Sequence, residues 1–191
     1  MALSDRIWWT KKSKIQTEKR LLRKDIASQI ILLWYTVFSV FASVYELAKP
    51  STNSLFSVLM VSLSVLIMAV TLFIGNRTFK ERAMLVKQCY EQLSILNIQA
   101  DEAEKANNKD DIFKLEDEYK NILSVCENHS DIDYKKAVVF EYLNTQSSLK
   151  ARLTKKPNFY FYFCVFLYMT FEIVISLCLL LSPVIIWNLL R

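Results

Sequence analysis

Two stretches without a single charged side chain constrain this chain more than anything else in it. They run from Ile26 to Tyr45 and from Pro50 to Asn76, parted by a short linker that carries Glu46 and Lys49. Each is about twenty residues or longer, enough for a helix to cross a hydrocarbon layer about 30 Å thick. A soluble helix of that length would carry a polar face, and neither stretch does. Lipid offers no partner to free backbone groups, so helices are the expected form. The reading is a transmembrane hairpin, with spans at about 27–47 and 55–75 and a very short outer loop.

A third apolar stretch, Pro157 to Leu190, holds one charge, Glu172, and opens on the aromatic run Phe159 to Phe163. It exceeds one span but falls short of two with a turn. One membrane helix from Phe159 to about Leu181 is expected, kinked or ended by Pro183, with Trp187 at the far interface. Glu172 then falls near the bilayer midplane, where a charge costs roughly 2.5–3.5 kcal/mol. It is either a neutral carboxyl donating to a hydroxyl of a neighbouring helix, or a pore-lining or gating carboxylate.

One glycine and three prolines in 191 residues leave too little punctuation for a sheet. The expected class is all-α: a helical membrane protein whose transmembrane hairpin extends into a cytosolic antiparallel helical domain, plus a C-terminal transmembrane helix. This divides the chain into a basic amphipathic N-terminal helix (1–25), the hairpin (26–76), a cytosolic helical domain (77–156) and a C-terminal membrane segment (157–191). The net charge of +5 gathers before the first span, where Arg6, Lys11, Lys12, Lys14, Lys19, Arg20, Arg23 and Lys24 outnumber Asp5, Glu18 and Asp25. Positive flanks mark the cytoplasmic side, so the N-terminus and residues 77–156 are expected there. The N-terminus lacks an early apolar region, and no cleavable signal peptide is expected. Cys89, Cys126, Cys164 and Cys178 have no close spacing and imply neither a disulfide framework nor a zinc motif.

Residues 4–25 read as a basic helix with Ile7, Trp8, Ile15, Leu22 and Ile26 at roughly helical spacing. It lies either along an anionic leaflet, with Trp8 and Trp9 at the headgroups and each basic residue adding about 1 kcal/mol, or on the cytosolic domain. Beyond the second span, a continuous rigid helix from Ser57 to about Ala106 is expected. Phe79, Ala83, Val86, Tyr90, Leu93, Asn97 and Ala100 give it a heptad-like, coiled-coil seam. A polar break at Asn107–Asp110 precedes a second stripe, Ile112, Leu115, Tyr119, Ile122 and Cys126, which implies a helical hairpin. A third helix to about Arg152 follows, capped by Asp131 or Asp133.

Ser39 and Ser43 in the first span, and Ser57, Ser64 and Thr71 seven apart in the second, either let helices pack closely or line a watery path between assembled copies. Arg77, Arg82 and Lys87 stand just inside the membrane, serving topology or attracting an anionic ligand. The segment around Asn128, His129, Asp133 and Tyr134 breaks the periodicity. His129, the only histidine, has aspartates nearby; it is part of a structural turn or a ligand or partner contact. No Gly-rich phosphate loop, paired metal ligands or base-oriented nucleophile occurs, so no catalytic residue, cofactor or metal is expected and the chain is not read as an enzyme.

Three groups of residues give the chain a resemblance. They are Arg6-Ile7-Trp8-Trp9-Thr10-Lys11-Lys12 with Glu18-Lys19-Arg20-Leu21 and Trp34-Tyr35; Glu81-Arg82-Ala83 with Lys87-Gln88-Cys89-Tyr90 and Leu93; and Glu127-Asn128-His129 with Asp133-Tyr134. Over about residues 5–145 the chain resembles bacterial SLATT-domain proteins, and among them the subfamily found beside reverse transcriptases. The resemblance implies a two-span effector of bacterial conflict or anti-phage systems at the inner membrane. It implies coupling to a reverse transcriptase or to a nucleotide-signal synthase or sensor, and pore formation that kills or arrests an infected cell. The third apolar stretch departs from a two-span plan. Two functions compete: a homo-oligomeric effector that permeabilises the bilayer, and a membrane-anchored scaffold that recruits a soluble enzyme. Neither needs sequence-specific nucleic-acid binding.

Overall fold

The computed structural model describes residues 2–49 and 54–190, apart from the side chains of 54–57 and 189–190. Regular structure among the described residues is helical: α1 (Leu3–Ala48), α2 (Ser54–Gly75), α3 (Phe79–Lys105), α4 (Lys109–Val125), α5 (Asp131–Asn144) and α6 (Phe159–Leu190), with a 3-10 turn at Lys150–Arg152. Three of the helices are long and apolar enough to cross a membrane. The chain divides into two units, Met1–Leu22 with Phe79–Met169, and Arg23–Thr78 with Thr170–Arg191.

In the first unit, the opening turns of α1 are core. Leu3 and Ile7 are buried with Cys89, Leu93, Leu96 and Ala100 of α3 and Tyr119 of α4, while Leu21 packs on Ala83 and Val86. Low α1 numbers meet high α3 numbers, so the two run antiparallel. The seam expected on α3 is therefore filled by the chain's own N-terminal helix. Ile112, Leu115, Ile122, Leu123 and Cys126 close the same core from α4. Each fully buried aliphatic side chain here contributes about 1.5–3 kcal/mol. Glu104 of α3 caps α1, accepting from the Leu3 and Ser4 amides at 2.5 and 3.2 Å, so free N-terminal donors find a carboxylate. Trp9 is buried and its indole donates to Thr154 Oγ1 at 2.7 Å. The N-terminal helix thus packs on its own unit, and Trp9 is not a headgroup anchor.

The start of α6 also belongs to the first unit. Phe161 meets Tyr134 edge to face at 6.1 Å, the Lys135 ammonium lies 4.7 Å from the Tyr160 ring, and Lys136 lies 4.0 Å from Tyr168. Phe161 and Tyr160 of the aromatic run that opens the third apolar stretch thus contact α5, while Phe159 and Phe163 remain at least half exposed.

In the second unit, α1 carries both neighbours. Ala42 packs on Met60 and Ser39 faces Ser64, so α2 is antiparallel to it. The short outer loop expected between these helices falls at residues 50–53, which lie outside the described residues. Helix α6 is parallel to α1: Arg23 meets Glu172, Trp34 meets Leu180, and Phe38, Phe41 and Tyr45 surround Trp187.

Two helix ends differ from expectation. The rigid helix expected from Ser57 to Ala106 is broken: α2 ends at Gly75, and Thr78 takes φ 44° before α3 begins. The left-handed residue at this helix end is Thr78, and a β-branched residue at positive φ is rare. Helix α3 ends on Asn107 at φ 54°, with the Asn108 amide bonded to Ala103 O and that of Asn107 to Glu104 O. Asparagine tolerates this left-handed closure. Pro183 does not end α6; the helix runs through it to Leu190.

Candidate functional site

Polar chemistry concentrates in two places, one in each unit. The first surrounds the turn between α4 and α5. Ser130 is the N-cap of α5, and Asp133 at the third helical position closes a capping box with it. Asp133 Oδ2 accepts from the Ser130 amide at 3.1 Å, Ser130 Oγ at 2.8 Å and Thr17 Oγ1 at 3.0 Å. Arg20 Nε reaches both of its oxygens, at 3.0 and 3.1 Å. The cap is thus Ser130, not Asp131 or Asp133, and the motif Ser-x-x-Asp was its signal. Burial pulls the Asp133 carboxyl upward, but the bonds from Arg20 and Ser130 outweigh it and hold it below the ordinary aspartate range.

Glu127 fastens the start of the same turn. Arg82 of α3 donates to it through two nitrogens, at 2.8 and 2.6 Å, a fork that adds geometry to charge. Those bonds hold the Glu127 carboxyl below its usual range. The buried Lys14 donates to the Glu127 carbonyl. Burial lowers the Lys14 ammonium, with Glu127 opposing. His129 sits among these groups; burial and the Lys14 charge depress its imidazole, and Nδ1 is buried without a hydrogen-bond partner among the described residues. No group of metal-ligating side chains assembles among the described residues.

Of the ligand candidates, Arg82, His129 and Asp133 are therefore brought together, but each charged one is engaged inside the chain. Tyr134 meets Phe161 edge to face and lies 4.8 Å from the Lys155 ammonium. Asn128 is exposed. Arg77 and Lys87 stand apart, Arg77 over the Phe73 ring at 4.7 Å and Lys87 beside Glu91. Sequence reasoning missed Lys14, Thr17, Arg20 and Glu127. A disulfide also joins Cys89 to Cys126, 37 residues apart, where spacing had suggested no bridge; the pairing follows from α3 and α4 sharing one core.

The second place is the seam of α1 in the apolar unit. Proline has no amide, so Pro183 leaves the Leu179 carbonyl without its helical donor. In an apolar surround an unmet carbonyl is costly. Tyr35 Oη donates to it at 3.1 Å, and Ser182 Oγ, 2.6 Å from Tyr35 Oη, reaches it at 3.0 Å. The Trp34 indole donates to Leu180 O at 3.0 Å. Tyr35 and Ser182 thus meet the carbonyl that the proline leaves open, and Trp34 bonds the next one.

Glu172 Oε2 lies 3.5 Å from Arg23. Arg23 precedes the uncharged run of α1, so Glu172 stands at the charged end of that run rather than midway along it. Ser39 and Ser64 meet at 3.1 Å. Ser43 and Thr71 bond to carbonyls of their own helices, Ser39 O and Ile67 O. The Ser57 side chain lies outside the described residues.

An all-helical chain with three apolar helices and a polar helical unit defines a helical membrane protein. The chain matches the SMODS and SLOG-associating 2TM effector domain family 5 (SLATT_5) over residues 1–189 and belongs to that family. It is thus a member of an effector-domain family, and the match includes the third apolar helix. No curated protein and no solved structure matches it.

Proposed function

We propose that this chain is the membrane effector of a bacterial conflict or anti-phage system, which self-associates and permeabilises the inner membrane when triggered, causing abortive infection or growth arrest. The supporting observation is how little the apolar helices cover one another. In the most apolar stretch of each, no more than 11% of residues are buried within one chain. Lipid or further copies must cover the rest. Membrane helices associate through small and hydroxylated residues, which Ser39, Ser43, Ser57, Ser64 and Thr71 supply, and Glu172 would offer a carboxylate near the mouth of such an assembly. The N-terminus and residues 77–156 face the cytoplasm in this reading. There a reverse transcriptase, or a nucleotide-signal synthase or sensor, supplies a trigger that binds one state of the first unit better than the other. No enzymatic activity and no sequence-specific nucleic-acid binding are assigned.

The test is induced expression in bacteria with a membrane-potential dye. Collapse of the potential is expected when the triggered chain accumulates; an unchanged potential at high expression of an activated form sinks the reading. Glu172→Gln should alter toxicity or conductance while membrane insertion stays intact.

Exposed apolar side chains on α3 favour a second reading. Met84, Leu85, Ile95 and Ile98, each more than half exposed, lie off the face that packs on α1. A soluble partner docked there would make the chain a membrane-anchored scaffold. Replacing the spans with unrelated apolar helices would then leave activity intact, whereas a permeabilising assembly would lose it.

A further inference from the structure

We propose that Cys89 and Cys126 form a reversible oxidation site whose state sets how firmly the α4–α5 turn is fastened to α3. This rests on the reading that the first unit faces the cytoplasm. Cytoplasmic thiols are kept reduced, and disulfides there are transient or redox-sensing. The structure brings the two sulfurs together across 37 residues of chain, with Cys89 buried on α3 and Cys126 half-buried immediately after α4.

The position gives the bond a consequence. Cys126 adjoins Glu127, whose carboxylate is forked onto Arg82 and whose carbonyl accepts from Lys14. Arg82 and Cys89 are seven residues apart on α3, two turns along one face. The turn is thus tied to one face of α3 twice, by an ion pair and by sulfur. Reduction leaves the ion pair and the Lys14 bond; oxidation adds a covalent tie that no trigger can part without a reductant.

The chemistry is thiol–disulfide exchange with a low-molecular-weight disulfide. The thiolate of Cys126, the more accessible of the two, attacks one sulfur of that disulfide and expels a small thiolate. The Cys89 thiolate then attacks the mixed disulfide at Cys126 Sγ and expels the second. The protein loses two electrons and the small disulfide gains them; the two cysteine protons end on the two released thiols.

The test uses the full chain with Cys164→Ser and Cys178→Ser, so that only this pair reports. Acid-quenched cells are alkylated with a maleimide polymer before and after treatment with diamide. Two adducts per chain are expected at rest and none after diamide, with both restored by dithiothreitol. Cys89→Ser or Cys126→Ser should leave one adduct at rest and abolish the paired protection. In parallel, Asn128→Cys, in the exposed turn, is labelled with a membrane-impermeant maleimide. A pair already protected at rest, with Asn128→Cys reached only after permeabilisation, makes the bond permanent and overturns the switch while the orientation stands. The same protection with Asn128→Cys labelled from outside overturns both. A pair still reactive after diamide overturns the switch by itself.

Discussion

The two units solve the same problem, a polar group away from water, in opposite ways. The first buries whole charges and surrounds them: Asp133 is fully buried and receives bonds from Arg20, Thr17 and Ser130. The second meets polar groups with small, mostly neutral contacts, one indole for one carbonyl, one serine for another, and Tyr35 with Ser182 for the carbonyl below Pro183. The first unit's packing is therefore specified within the chain. The second unit leaves most of its apolar surface uncovered by the chain itself.

The comparison breaks most sharply at Asp133. Asp133→Ala strands the Arg20 guanidinium against a buried surface and removes half of the α5 cap. Breaking a buried pair by removing one partner costs about 3–5 kcal/mol. Limited proteolysis of detergent-solubilised protein should show the first unit cut rapidly at residues 126–145 while the apolar helices remain protected. If Asp133→Ala resists protease like the unaltered chain, the polar network does not hold this unit together.

A smaller effect is expected at Tyr35, and it carries a sign that packing alone would not. Tyr35→Phe removes one of the two donors to the Leu179 carbonyl, leaving Ser182, and should cost about 0.6 kcal/mol, up to about 1.7 kcal/mol, by the measured range for membrane hydrogen bonds. Pro183→Ala restores an amide to α6 and gives that carbonyl a helical partner. In a double-mutant cycle read by thermal unfolding in detergent, Tyr35→Phe should therefore cost less in the Pro183→Ala background. Equal costs in both backgrounds would sever Tyr35 from the proline.

What could be read from sequence follows the same division. The uncharged runs and the α3 and α4 stripes were legible because lipid and core both select apolar side chains at a plain period. The opening of α1 was not, because its inward positions include Thr10, Lys14 and Thr17 between Ile7 and Leu21. Those residues look like a solvated face until Tyr119, Glu127 and Asp133 are set against them. Pro183 reads as a stop unless the donor on another helix, 148 positions before it, is known. The Arg23 partner of Glu172 lay on another helix, 149 positions earlier, and no local pattern pointed to it. The cysteine pairing needed the α3–α4 core.

A contact of the second unit gives the next test. Ser39→Ala removes the hydroxyl bridge to Ser64 but leaves Ser64 bonded to Met60 O, so nothing is stranded. The expected loss is about 0.6 kcal/mol or less. Cross-linking yield between copies should change little if Ser39 serves only the α1–α2 contact. A large change would mean that this serine also meets a second chain.

The finest distinction concerns pH. His129 is held below its ordinary value by burial and then by the Lys14 charge, with Asp133 opposing and Lys155 adding to the depression. The folded state thus binds a proton at His129 less readily than the unfolded chain does. Stability from this group is complete above the unfolded value of about 6.5 and declines as pH falls below it, because unfolding then takes up a proton. Asp133 and Glu127 are depressed carboxylates, whose contributions fade only near and below about pH 4, so they do not confuse the window. Thermal unfolding of the first unit should shift downward between pH 7.5 and 5.5, and His129→Gln should flatten that shift while leaving the carboxylate transition at lower pH. If the slope survives His129→Gln, the titrating group lies elsewhere. If the apolar unit shares the slope, the two units do not unfold separately, and the contrast drawn between them loses its thermodynamic meaning.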